Sequence, residues 1–133
     1  MGGEAPQNAS ARPFTLEEAN ATLPNVIPLL EALRDAHAVM EKLHDRVMES
    51  VPTNGGGETH QSFIDASGEA AKAMHHLNKL GVVVRDPANG LIDFPTVHDG
   101  REAFLCWKLG EGESIAFWHP PETGFAGRRP VEG

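Results

Sequence analysis

GLIDFPTVHDGREAFLCWKLGEGESIAFWH, residues 90–119, decides the fold. Apolar and polar residues alternate through it, and the alternation is cut twice by glycine-containing turns. Asp99-Gly100 between alternating runs is the strongest short hairpin signal a sequence can carry. Gly110-Glu111-Gly112-Glu113 is the second turn. Strands are therefore expected over Leu91–Val97, Arg101–Leu109 and Ser114–His119. Upstream, Val82–Arg85 is β-branched and runs into the turn signal Asp86-Pro87-Ala88-Asn89-Gly90. Three hairpin connections in sequence predict an antiparallel meander of about four strands, stopped by Pro120-Pro121.

Before residue 82 the period is helical. Thr15 and Glu18 have capping-box spacing, with Phe14 placed to staple onto the first turn. Leu23-Pro24 interrupts the pattern, so a new helix is expected to start with Pro24 in its first turn. Val26, Leu33, Met40 and Val47 then recur every seven residues with Leu30, Ala36 or His37, and Leu43 between them, a coiled-coil-like seam. Val51–Gly57 is loop by composition. A second helix, roughly Gln61 to Leu80, carries Phe63, Ala66, Ala70, Met74, Leu77 and Leu80 on one seam and ends at Gly81. Small residues (Ala66, Gly68, Ala70, Ala71) favour a close approach to the first helix. The expected fold is α+β, an N-terminal antiparallel helical hairpin on one face of a C-terminal antiparallel meander. Residues 14–128 form one domain, with the hairpin at 14–81, the sheet at 82–119 and an irregular tail at 120–128. The arm 1–13, the 52–58 loop and the end 129–133 have no apolar periodicity to anchor them and are expected to be mobile.

The turns also set a register. Pairing His98 with Arg101 puts Asp93 opposite Cys106 and Phe94 opposite Leu105. A loop symmetric about Glu111-Gly112 puts Phe104 opposite His119, Leu105 opposite Trp118 and Cys106 opposite Phe117. One face then carries Ile92, Phe94, Leu105, Trp107, Leu109, Ala116 and Trp118, a core face for the helices. The other carries Leu91, Asp93, Glu102, Phe104, Cys106, Lys108, Ile115, Phe117 and His119.

On that second face Asp93, Cys106 and His119 form a row across three strands, where opposite and diagonal neighbours lie about 5–8 Å apart. Thiolate, imidazole and one carboxylate suit zinc or ferrous iron, and three protein ligands leave a position open. Their spacing matches no standard zinc motif, and a lone buried cysteine is more often an inert small hydrophobe. Nucleophilic catalysis fits less well, because the row has the cysteine in the middle and the acid beside it rather than behind the histidine. Arg101 and Arg128 can clamp an anionic ligand. On the helices, Glu41 and His44 have the spacing of a di-iron half-site, with His37 one heptad earlier and His75-His76 on the partner helix. Such a bundle needs two half-sites, so these histidines read as solvated. Trp107 and Trp118 read as core.

Composition narrows the function classes. The formal net charge of −8 disfavours nucleic-acid and anionic-membrane surfaces. No apolar run reaches the roughly 20 residues of a membrane span. The first residues lack a signal-peptide pattern, and a lone cysteine fits a reducing compartment, so a cytoplasmic protein is expected.

FTLEEAN, GLIDFP, DGRE, LCWKLGE, FWH and GFAGR together resemble the small prokaryotic family labelled domain of unknown function 2203. The resemblance covers nearly all of residues 14–128. It implies that the block holding Asp93, Arg101, Cys106, Glu111, His119 and Arg128 is the family's characteristic part, and it implies no activity. Among these, Asp93, Cys106 and His119 are the metal candidates, and Arg101, Glu111 and Arg128 the ligand-binding ones. Two readings stand: a small metal- or ligand-binding domain, or a non-catalytic assembly module. A homo-oligomer is expected, because Phe104, Ile115 and Phe117 leave the second face apolar unless the GFAGR segment covers it.

Overall fold

Thr15 and Glu18 open the first helix with the reciprocal bonds of a capping box. Glu18 N–H donates to Thr15 Oγ1 and Thr15 N–H to Glu18 Oε1, each at 3.0 Å. The computed structural model describes residues 12–49 and 57–131; the expectations for the rest of the arm, most of the loop and the last two residues lie outside these. Helix α1 spans Leu16–Glu49 and α2 spans Gly57–Lys79. Strands β1 (Val83–Asp86), β2 (Leu91–His98), β3 (Arg101–Lys108), β4 (Phe117–His119) and β5 (Arg129–Pro130) form one antiparallel sheet in chain order. Among the described residues no helix is long and apolar enough to cross a membrane.

The core lies between hairpin and sheet. Leu23, Val26, Leu30 and Leu33 of α1, Ala73 and Leu77 of α2, and Ile92, Phe94, Leu105 and Trp107 of the sheet form one buried cluster. Beyond Ala36 the seam thins, with Met40, Leu43 and Val47 only half-buried. Ala66 and Ala73 are buried at the helix contact, whereas Gly68 and Ala71 face solvent. α2 ends in a Schellman cap: Val82 N–H reaches Leu77 C=O, Gly81 N–H reaches Asn78 C=O, and Gly81 has φ +90°. Phe14 goes to the sheet, its ring edge-on to Phe94 at 5.2 Å and its N–H on Pro95 C=O.

Both predicted registers hold. Asp93 pairs with Cys106 and His98 with Arg101; Phe104 pairs with His119 and Cys106 with Phe117. Asp99 (φ +54°) and Gly100 (φ +78°) supply the two positive dihedrals of a type I′ turn.

Four expectations are corrected. α1 does not break at Pro24; it runs through Pro24 and Pro28. The two prolines are exposed and one turn apart, and each leaves the carbonyl four residues before it, that of Asn20 or Pro24, without its helical N–H partner. Buried Leu23, Val26 and Leu30 meanwhile anchor both halves. α2 begins at Gly57, four residues before the expected start. β4 covers only Phe117–His119, and the irregular chain before it inverts the side-chain alternation. Ile115 is therefore in the core, with its N–H on Asn20 Oδ1 at 2.7 Å, while Ala116 is exposed. Finally, the expected irregular tail contains one helical turn, and the end expected to be loose adds a fifth strand. A 3-10 turn at Phe125–Gly127 leads into β5, which pairs with β4 through Phe117–Pro130 and Trp118–Arg129.

Candidate metal centre

Asp93, Cys106 and His119 reach one point because their strands are neighbours in register. Asp93 is directly opposite Cys106, and His119 lies one diagonal step away on β4. All three are buried, and one donor atom from each lies within 4.8 Å of the others. Two bonds of about 2.0–2.3 Å span at most about 4.6 Å, so the widest pair of donors must close slightly before all three can meet at one ion.

Hydrogen bonding defines the protonation of the cluster. His119 Nδ1 lies 2.7 Å from Pro120 C=O, which can only accept, so Nδ1 carries a proton. His119 Nε2 faces Asp93 Oδ2 at 2.9 Å. A neutral imidazole protonated on Nδ1 has a lone pair at Nε2, and two lone pairs repel. A proton, or an ion replacing it, must therefore sit between Nε2 and Oδ2. The same Oδ2 accepts Arg85 Nε at 2.8 Å. Asp93 Oδ1 is buried with no hydrogen-bond partner, an arrangement whose desolvation goes uncompensated unless something else meets that oxygen.

The thiol is held from the other side. Arg128 points Nη1 at Cys106 Sγ across 3.9 Å and is anchored on Glu111 by contacts of 3.0 and 2.8 Å. Its guanidinium lies 4.1 Å from the ring centres of both Phe117 and Phe125. Burial and then the Asp93 carboxylate push the Cys106 thiol up to about 12, with Arg128 acting the other way. Burial opposes the Arg128 charge, but the bond to Glu111 and its carboxylate outweigh burial and raise that guanidinium. A cavity of about 260 Å³ opens onto the three donors, walled by Arg85, Leu91, Pro121 and Phe125 among others.

A family model described as an uncharacterized conserved protein, DUF2203, matches residues 12–131. The chain belongs to that family. No curated protein and no solved structure matched it.

Within this DUF2203 chain the sequence-derived residues part company. Asp93, Cys106 and His119 converge, and Glu111 and Arg128 stand beside them. Arg101 does not: it is exposed at the β2–β3 turn and lines a separate depression with His98, Glu102 and Pro120. Glu41, His37 and His44 line another depression on the hairpin, and among the described residues only Asp93, Cys106 and His119 bring three metal donors together. Both ring nitrogens of His119 are turned to Pro120 and Asp93, so the imidazole is not paired with the thiol as a catalytic base. Trp107 is buried in the core, and half-buried Trp118 stacks on His98 at 3.9 Å. The tail takes part of the second face, with Phe125 packed over Arg128.

Arg85 is the residue that sequence reading missed. The β1–β2 register slips between Val84 and Asp86, leaving Arg85 at a bulge. Val83 is opposite Asp93, so Arg85, two residues on, emerges on the Asp93 side. The signal was an arginine ending a strand whose partner carries a lone inward aspartate. The bulge hid it, because a turn count across Asp86–Gly90 cannot locate an unpaired residue.

Proposed function

We propose that this protein binds one divalent metal ion, zinc or ferrous iron, through Asp93, Cys106 and His119. The observation that carries the reading is the buried convergence of a carboxylate, a thiol and an imidazole around an unpartnered Asp93 Oδ1. An ion there meets that oxygen and replaces the proton between His119 Nε2 and Asp93 Oδ2. Tetrahedral bonds need donors about 3.3–3.8 Å apart; the 2.9 Å contact must open and the wider ones close, by side-chain adjustments of under about 1 Å. Second contacts of the kind that orient ligands are present: Pro120 C=O on His119 Nδ1, Arg85 on Asp93 and Arg128 on Cys106. The donor set disfavours magnesium and calcium, which want an oxygen shell. A thiol ligand suits the reducing cytoplasm expected from the sequence.

Elemental analysis of protein purified anaerobically, followed by zinc and ferrous-iron titration of the metal-stripped chain, tests this. One ion per chain is expected. Cys106→Ser should lose high-affinity binding and His119→Ala should weaken it at least a hundredfold, both with native-like circular dichroism. Wild-type protein that takes up neither ion above background sinks the reading.

A further inference from the structure

Arg85 holds a position that the metal alone does not explain. Its Nε is fixed on Asp93 Oδ2 and its guanidinium lies 4.9 Å from the centre of the Phe104 ring, so the group is immobilised on two sides. Its two Nη nitrogens make no hydrogen bond to the described residues, and the side chain is 44% exposed where it borders the cavity over the three donors. A fixed guanidinium with free N–H groups beside a metal's open position is a fork for a planar anion.

Charge points the same way. With a divalent ion bound, Asp93 and the Cys106 thiolate cancel the metal, and Glu111 cancels Arg128. The Arg85 charge is left over. In a pocket walled by Leu91, Pro121 and Phe125, that surplus favours one negative charge on whatever fills the space. The volume of about 260 Å³ lies below the roughly 300–1,000 Å³ of drug-sized sites, which favours a small occupant.

We propose that the cavity takes a small carboxylate, one oxygen on the metal and the other on the Arg85 Nη groups. This rests on the metal reading above and adds the ligand class. No covalent step is involved; the acid binds as its anion.

The test uses the full chain loaded with saturating Co(II), whose visible bands report the coordination shell. Acetate and formate are titrated in, with acetamide as the uncharged match for acetate. A saturable band shift with the carboxylates and none with acetamide is expected. Arg85→Gln should weaken carboxylate binding at least tenfold with cobalt still at one per chain, and Arg85→Lys should recover part of the loss. Arg101→Gln, in its separate depression, should behave as wild type. Cobalt bound at one per chain without any carboxylate-dependent shift overturns the ligand proposal and leaves the metal reading intact. An undiminished carboxylate response in Arg85→Gln overturns it too. Failure to bind cobalt at all removes both.

Discussion

Metal binding at Asp93, Cys106 and His119 should release protons, at least one per ion. One comes from Cys106, whose thiol stays protonated up to about 12 in the metal-free protein because burial and Asp93 disfavour its charge. Ionising it near pH 7.5 costs about 6 kcal/mol, which the metal–sulfur bond must exceed. Displacing this proton makes apparent affinity rise about tenfold per pH unit while the thiol is protonated. Zinc titration by calorimetry in three buffers of different ionisation enthalpy counts the protons directly. Competition with a chromophoric chelator at about pH 6.5, 7.0 and 7.5 gives the slope. Cys106→Ser should lose this thiol proton release together with high-affinity binding. Release of fewer than one proton by the wild type, or an affinity flat with pH, would refute the reasoning.

Three further outcomes are expected. Gly90→Ala should destabilise by about 2–4 kcal/mol in urea denaturation, since Gly90 has φ +67° and an added Cβ meets the Leu109 side chain at 2.4 Å; Gly100→Ala, at φ +78° but in open space, should cost only the backbone part, about 1–2 kcal/mol. Thr15→Ala should cost about 1 kcal/mol by removing the bond to Glu18 N–H, read in the same assay. Between about pH 9 and 12 the metal-free protein should lose stability, because the unfolded thiol ionises near 9 while the folded one holds its proton to about 12; Cys106→Ala should flatten that part of a pH–melting-temperature curve.

What the sequence disclosed and what it hid have separate physical causes. Asp99-Gly100 has few ways to turn, so the β2–β3 register could be counted from it, and Asp93 opposite Cys106 followed. The β3–β4 register rested instead on a loop symmetric about Glu111-Gly112, and the pairing follows that symmetry and carries His119 to the row. Side-chain direction before β4 was not countable. Ser114–Ala116 is irregular, so alternation carried back from Phe117 put Ile115 and Ala116 on the wrong sides. Pro24 misled because propensity describes an isolated helix, whereas here buried Leu23 and Val26 flank the proline and hold the axis. β5 is two residues long with no periodicity to read, and it exists because β4 offers it an edge.

The bulge at Arg85 ties fold to site. In an unbroken β1–β2 ladder Arg85 would stand opposite Leu91, its backbone committed to the pairing; the slip between Val84 and Asp86 frees that residue from the register. Asp93 is thereby supplied with a cation through one oxygen, while its other oxygen stays unpartnered inside the protein. A purely structural role for Asp93 would be better served if Arg85 gripped both oxygens, since a bidentate fork satisfies the carboxylate at no extra burial. Instead the guanidinium uses only Nε and leaves both Nη groups without a hydrogen bond to the described residues, on a side chain that borders the cavity. The half-satisfied carboxylate and the half-used arginine border the same small space, which is the arrangement expected if an ion and its anionic partner complete both.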